Sequence, residues 1–147
     1  MACHPDFVVL PTATGGTQAG LQVGMTTMGA APRIHGVTVA HPARELEPRI
    51  AELFDQLARL PGLVRPQSEI RLDDRQLGGG YGMSTPEADE AARLLATTEG
   101  ILVDPIYTAK ALAGLIALVR SGAQDGRTLV FWHAGGTPGL FEPLITG

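Results

Sequence analysis

Apolar positions along the chain fall into two patterns: continuous runs typical of buried strands, and spaced positions typical of helices. Residues 7–10 (Phe-Val-Val-Leu) form a continuous run, which predicts a strand buried on both faces, as in a parallel sheet. Leucine and isoleucine recur at helical spacing over 45–60 and predict an amphipathic helix. Similar patterns predict strands at 33–40, 69–72 and 128–132, and helices at 18–28, 85–99 and 108–121.

The predicted strands and helices alternate along the chain, with a short apolar segment at 101–103 between the last two helices. This order predicts an α/β fold with a doubly wound, mostly parallel sheet and helices on both faces. Ligands of such sheets bind beyond the carboxyl ends of the strands. We therefore expect a site formed by loops 12–17, 104–108 and 133–138, joined by the glycine-rich loop 73–84.

Composition narrows the classes of function. The 147 residues are 44% hydrophobic and 18% charged, which favours a folded core of single-domain size. The net charge of −4, without a basic cluster, argues against nucleic acid or an anionic membrane surface as the main partner. The longest apolar stretch, 111–119, is too short to span a bilayer.

Cysteine and histidine give no sign of disulfide or metal chemistry. Cys3 is the only cysteine, so no intrachain disulfide can form, and a reducing, cytoplasmic setting is expected. His4, His35 and His41 lack the ligand spacing of a zinc-binding helix, so no metal site is predicted.

The loop after the first predicted strand has the features of an anion site. Its sequence is Thr14-Gly15-Gly16-Thr17 followed by Gln18, directly before a predicted helix. Adjacent glycines let backbone N–H groups converge on an anion, the helix adds the positive end of its dipole, and the two threonines can add hydroxyls. The spacing matches neither a dinucleotide fingerprint nor a P-loop. From spacing alone, a phosphate site and a plain tight turn remain open.

The same loop resembles the phosphate loop of the pyridoxal-phosphate (PLP) dependent D-cysteine desulfhydrase / 1-aminocyclopropane-1-carboxylate (ACC) deaminase family. Further segments match that family in the same order, and together they extend from about residue 7 to residue 141. They are Gly79-Gly80-Tyr81-Gly82 with Thr85-Pro86-Glu87, Thr98-Glu99-Gly100-Ile101-Leu102, Asp104-Pro105-Ile106-Tyr107-Thr108 with Lys110 and Gly114, and His133-Ala134-Gly135-Gly136-Thr137-Pro138.

The resemblance implies the fold of the tryptophan synthase β-like superfamily, PLP as cofactor, a small amino acid as substrate, and a homodimer for the full-length protein. It also implies which residues meet the cofactor. These are Thr14, Gly15, Gly16, Thr17 and Gln18 around the phosphate, and Thr108, His133, Ala134 and Gly135 near the ring.

Tyr81 and Tyr107 are the only tyrosines, and both fall in loops of the predicted site. Taken alone, they are better explained as packed residues whose hydroxyls bond to the backbone. The resemblance implies instead that both line the substrate pocket, with Tyr107 placed for nucleophilic or proton-transfer steps.

Thr108 indicates which branch of the family the chain resembles. The deaminases place a glutamate there against the pyridine nitrogen, whereas threonine resembles the desulfhydrases. A neutral hydroxyl would leave that nitrogen largely unprotonated and favour elimination of a good leaving group. Ala134 departs from the desulfhydrase pattern, which has threonine there.

Two further polar residues near the predicted site have structural explanations. His133 is expected to be a hydrogen-bonded structural residue rather than a base. Asp104 is expected to cap the turn that it begins.

The lysine that a PLP enzyme needs is the missing element. Lys110 is the only lysine, and the resemblance places the family's cofactor lysine far upstream. We therefore expect residues 1–147 to be the C-terminal part of the large PLP-binding domain, without the lysine-bearing segment and the small domain. The expected reaction is elimination from D-cysteine to pyruvate, ammonia and sulfide, absent in the isolated chain. The alternatives are a non-catalytic phosphate- or PLP-binding module and a remnant that requires a partner chain.

Overall fold

One parallel sheet organises the chain. The computed structural model describes residues 5–30 and 33–141, so Cys3 and His4 lie outside the described residues. The strands are β1 (Phe7–Thr12), β2 (Arg33–Thr38), β3 (Arg71–Asp73) and β4 (Leu129–Phe131). They are ordered β3-β2-β1-β4, and every pairing between neighbours is parallel.

Helices cover both faces of this sheet. They are α1 (Gly16–Thr27), α2 (Ala43–Leu57), α3 (Pro86–Glu99) and α4 (Thr108–Arg120), followed by a short 3₁₀ helix at Thr137–Leu140. Helices α1 and α2 pack together on one face, while α4 packs on the other face with α3 against it. The predicted fold class, a doubly wound parallel α/β sheet, is confirmed. Among the described residues, no helix is long and apolar enough to cross a membrane.

The central strand β1 explains the continuous apolar run near the start of the chain. Val8 and Leu10 face α1, where they pack with Met25, and Val9 points to the opposite face against Ala111 of α4. All three β1 side chains are buried. A strand covered on both faces needs apolar residues at consecutive positions rather than at alternate ones.

Two details differ from the sequence-based expectation. Helix α2 ends at Leu57, whereas the prediction extended it to residue 60. The apolar segment 101–103 forms no strand, so α3 and α4 follow each other without one between them. The reason is topological: both helices lie on the same side of the sheet, so the short connection between them does not have to cross it. Strict alternation of strands and helices therefore fails at this point.

Candidate functional site

A cleft opens at the carboxyl ends of the central strands, where three of the four predicted loops converge; loop 73–84 contributes no lining residue. The volume of the cleft is about 290 Å³. The lining combines the loop between β1 and α1, the start of α4 and the glycine turn after β4. The lining residues are Pro11, Thr12, Ala13, Thr14, Gly15, Gly16, Thr17, Gln18, Tyr107, Thr108, Ala134, Gly135 and Gly136. Nine of the eleven residues predicted for the site thus lie in one lining.

The first turn of α1 presents backbone donors at this cleft. Gly15 occupies the N-cap with φ 88° and ψ −11°, and no side chain caps the helix. The first helical bond runs from Ala19 N to Gly15 O at 2.9 Å, which leaves the N–H groups of Gly16, Thr17 and Gln18 without an intrahelical acceptor. The first turn carries no acidic residue. This arrangement suits an anion from solution.

Glycine is required at the first position of this turn for two reasons. The backbone of Gly15 is left-handed, a conformation that residues with a Cβ avoid. A Cβ at that position would also lie 2.5 Å from Ile50 Cγ1 of α2. The neighbouring Gly16 has no heavy atom within 4 Å of a Cβ position, so its surroundings are open. Gly15 thus packs closely against α2, whereas the space next to Gly16 is open.

Gln18 lines the cleft through its backbone, because its side chain turns into the core. The side chain is fully buried, and its Oε1 accepts a hydrogen bond from the Thr12 hydroxyl at 2.9 Å. Its Nε2 donates to Arg71 O at 3.2 Å. Any phosphate contact from Gln18 is therefore restricted to its N–H. No sequence pattern indicated this buried network, which extends through Gln22 to Ser68.

Asp104 organises the start of α4. Its Oδ1 accepts hydrogen bonds from Ile106 N at 3.0 Å and Tyr107 N at 2.6 Å, and its Oδ2 accepts from Thr108 N at 3.0 Å. The buried carboxylate thus satisfies N–H groups that a helix start leaves free. Asp104 caps this turn, as the sequence predicts.

The hydroxyl of Thr108 is held between two acceptors. It donates to Asp104 Oδ2, and it lies 3.3 Å from Gly135 O. A carboxylate and a carbonyl only accept hydrogen bonds, so the single hydroxyl hydrogen is committed to one of them. Towards the cleft, Thr108 can offer only an oxygen lone pair. The expected effect of Thr108 on the pyridine nitrogen stays a prediction.

The two tyrosines meet although they are 26 residues apart in sequence. Their hydroxyl oxygens form a short hydrogen bond, and their rings stack edge to face with centroids 5.9 Å apart and planes 70° apart. Tyr107 lines the cleft, whereas Tyr81 is 59% exposed and reaches its partner from the glycine-rich loop. The structure therefore places both predicted catalytic side chains at one rim of the cleft.

Two other residues of interest lie outside the lining. His133 is exposed, and its Nε2 lies 3.3 Å from Leu102 O, so a cofactor contact from this residue stays a prediction without geometric support. Lys110 is buried beneath the glycine-rich loop, where its Nζ donates to Leu77 O at 2.8 Å and Gly80 O at 3.2 Å. Ala134 and Gly135, in contrast, do line the cleft.

Comparisons with known proteins agree with this geometry. D-cysteine desulfhydrase of Yersinia pestis (strain Pestoides F) is 39% identical over 135 residues, which are 91% of this chain and 41% of that protein. ACC deaminase of Burkholderia vietnamiensis (strain G4 / LMG 22486) is 36% identical over 138 residues, 92% of this chain and 41% of that protein. The chain thus spans about two-fifths of the length of these curated relatives.

A solved structure of an ACC deaminase homologue superposes with a TM-score of 0.82 at 33% identity, and the match covers 95% of this chain and 42% of that one. The family model described as "Pyridoxal-phosphate dependent enzyme" matches residues 1–135. These findings confirm the resemblance stated from the sequence motifs, together with the cofactor that characterises the family. The chain belongs to the family of pyridoxal-phosphate-dependent enzymes.

Proposed function

We propose that this chain supplies the phosphate-binding side of a PLP site in an amino-acid lyase. The observation that carries the proposal is the start of α1, where the N–H groups of Gly16, Thr17 and Gln18 lack intrahelical acceptors beside an open cleft. Without a capping side chain or an acidic residue in that turn, a phosphate is the group that complements it. The residues present therefore fit this end of the cofactor.

Each part of the cleft has a defined task in this proposal. The N–H groups of residues 15–18, with the hydroxyls of Thr14 and Thr17, hold the phosphate. Thr108, which the resemblance places near the ring, would offer the ring only an oxygen lone pair, because its hydroxyl hydrogen is held by Asp104 and Gly135 O. When bound, PLP supplies the electron sink for amino-acid chemistry. The Tyr81–Tyr107 pair is placed to hold and move a proton at the phenolic oxygens.

The cofactor's covalent attachment requires a lysine that this chain does not offer to the cleft. Lys110 is the only lysine, and its ammonium is bonded to Leu77 O and Gly80 O. We therefore propose that the lysine and the contacts to the substrate carboxylate come from residues outside this sequence, within a full-length homodimer. In that arrangement, residues 1–147 form the C-terminal part of the large domain.

The reaction proposed is D-cysteine desulfhydrase-type elimination followed by hydrolysis, in which D-cysteine and water yield pyruvate, ammonia and sulfide. Its support is the similarity to the Yersinia pestis desulfhydrase and the hydroxyl residue Thr108 in the cleft lining, where the resemblance places the ring. A non-catalytic PLP- or phosphate-binding module is the second candidate. The observation that favours it is the absence of a lysine from the cleft lining.

Cofactor binding is tested first, with the chain as it exists. PLP is titrated while its absorbance is followed, and inorganic phosphate is added as competitor. Saturable binding that phosphate displaces is expected. Replacing Thr17→Asp should weaken binding about tenfold or more, because a carboxylate repels the phosphate, whereas Thr17→Asn, which removes the hydroxyl without adding a charge, should weaken it much less. Equal affinity of both variants, or no binding by folded protein, would refute the phosphate site.

Turnover separates the two candidate functions. Borohydride reduction followed by mass spectrometry is expected to show no adduct at Lys110. The chain is then combined with the part of the Yersinia desulfhydrase that precedes the matched region, and pyruvate formation from D-cysteine is assayed. Pyruvate from the mixture supports the lyase. PLP binding without turnover in a stable complex of the two supports the binding module.

A further inference from the structure

Lys110 is an unusual side chain for its position. It is completely buried, although lysine is rarely so unless it is paired. Among the described residues, no carboxylate forms a salt bridge with it, and its Nζ binds only the carbonyls of Leu77 and Gly80. Burial lowers the pKa of Lys110 below its ordinary value. A buried cation without a counterion costs free energy unless hydrogen bonds offset the cost, and here the two carbonyls provide them.

The two carbonyls that bind this ammonium belong to one tight turn. Leu77 O also accepts Gly80 N at 3.3 Å, and Gly78 and Gly80 both have positive φ, at 63° and 127°. Glycine-rich turns of this kind are intrinsically mobile, since glycine has the largest choice of backbone conformations. The ammonium donates to both ends of the turn at once. It therefore restrains a segment that its own sequence leaves flexible.

Tyr81 comes directly after this turn, and its partner Tyr107 lies one turn of α4 from Lys110. At this i,i+3 spacing, Tyr107 and Lys110 lie on neighbouring positions of the helix surface. The start of α4 thus contacts the glycine-rich loop twice, through the phenol of Tyr107 and through the ammonium of Lys110. Two contacts from one rigid helix fix both the position and the direction of the segment between them.

We propose that Lys110 is a positioning residue that clamps the 77–80 turn and thereby aims the Tyr81 hydroxyl at Tyr107 on the cleft rim. It acts through the turn and touches neither substrate nor cofactor. The proposal rests on the proposed function in one respect only, namely that the reaction uses the tyrosine pair. The clamp itself can be measured without turnover.

The test uses the full chain labelled with 3-fluorotyrosine, which should give two ¹⁹F NMR lines because Tyr81 and Tyr107 are the only tyrosines. Tyr81→Phe and Tyr107→Phe assign them. In Lys110→Met, the Tyr81 line should move towards the free amino acid, and amide exchange over 77–82 should accelerate roughly tenfold or more. Lys110→Arg should restore the native line, because a guanidinium still donates to both carbonyls.

Arg120→Met is the matched control, since it removes a cation from the exposed end of the same helix, where it pairs with Glu90. It should leave both lines in place. A folded Lys110→Met protein with an unchanged Tyr81 line would overturn the proposal. If that variant does not fold, Lys110→Gln decides: its shorter amide cannot span both carbonyls, so an unchanged Tyr81 line would again overturn it.

PLP titration of the same samples keeps the two proposals separate. The phosphate site lies on α1, so Lys110→Met should bind PLP with affinity close to that of the unaltered chain. A shifted Tyr81 line in a chain that never binds PLP would retain the clamp and refute the proposed function. Normal PLP binding with an unchanged Tyr81 line in Lys110→Met would refute the clamp and retain the proposed function.

Discussion

The carboxylate of Asp104 occupies the space that a side chain at residue 136 would need. A Cβ at Gly136 would lie 2.7 Å from Asp104 Cγ and closer still to Oδ2. The same carboxylate caps α4, so the turn after β4 can approach α4 only with glycine at this position. Glycine at position 136 thus sets the separation between α4 and the turn after β4, which form two walls of the cleft.

Gly136→Ala is therefore expected to destabilise the protein by about 2–4 kcal/mol. Roughly 1–2 kcal/mol comes from placing a Cβ at φ 88°, and the rest from overpacking against Asp104. Urea unfolding measures the change. Gly126→Ala is the matched control, because Gly126 has φ 73° but no heavy atom within 4 Å of a Cβ. An equal loss in both variants would show that the contact with Asp104 contributes nothing.

Gly36 on β2 provides the space for the buried Gln18 side chain. A Cβ there would lie 2.6 Å from Thr12 Oγ1 and 2.9 Å from Gln18 Cδ. Gly36→Ala should cost about 1–3 kcal/mol in unfolding free energy. It should also displace the start of α1 and so weaken phosphate binding.

A double-mutant cycle isolates this contact. If the clash is with Gln18, combining Gly36→Ala with Gln18→Ala should cost clearly less than the sum of the single changes, because the smaller side chain frees the space. Strictly additive losses would contradict the assignment. Gly20→Ala on the open side of α1 serves as control, and it should stabilise slightly through helix propensity.

Much of the fold could be predicted because its signals are local. The continuous run at Val8, Val9 and Leu10 reports burial on two faces, and Thr85 carries a helix-start signal that the structure realises as a bond from Ala88 N at 3.1 Å. Strand order β3-β2-β1-β4 was not specified, since pairing between strands depends on contacts far apart in sequence. The same holds for the apolar segment 101–103, which joins no sheet.

The site was predictable as a set of loops but not as a set of contacts. A Thr-Gly-Gly-Thr loop before a helix indicates where backbone donors point, since helix geometry fixes them. Nothing in that segment says that Gln18 turns inward, because the space it fills is created by Gly36 on a different strand. Likewise, the Tyr81–Tyr107 contact and the Lys110 clamp depend on how a flexible glycine loop settles on α4.

Asp73, at the end of β3, should make stability depend on pH in the acid range. Burial by itself would raise the pKa of Asp73, but hydrogen bonds from Arg75 at 2.9 and 2.6 Å outweigh it and hold that pKa well below its ordinary 3.8. His35 Nε2 is 3.7 Å away, beyond hydrogen-bonding distance. The folded state therefore favours the ionised carboxylate.

Because the folded pKa is depressed, the stabilisation is complete above the unfolded value and is lost as pH falls below about 3.8 towards the folded one. Asp73→Asn should lower the unfolding free energy by about 1 kcal/mol at pH 7, and the difference from the unaltered protein should shrink below pH 4. Urea titrations at several pH values measure it. The exposed Asp125→Asn should show neither effect, and a gap for Asp73→Asn that persists at pH 3 would contradict the mechanism.

The cap at α4 should contribute more than the cap at α3, because it satisfies more donors. Asp104 accepts bonds from the N–H groups of Ile106, Tyr107 and Thr108 and from a hydroxyl, whereas Thr85 accepts one from Ala88 N. Asp104→Ala should cost about 2–4 kcal/mol and Thr85→Ala about 1 kcal/mol.

Affinity for PLP separates the two caps further. Loss of Asp104 frees the Thr108 hydroxyl and loosens the wall next to Tyr107, so PLP binding should weaken in Asp104→Ala. Helix α3 contributes no residue to the cleft lining, so Thr85→Ala should leave PLP affinity unchanged. Calorimetric unfolding and PLP titration of the two variants provide both measurements. Equal effects of the two substitutions on cofactor affinity would mean that the Asp104 cap does not shape the cleft.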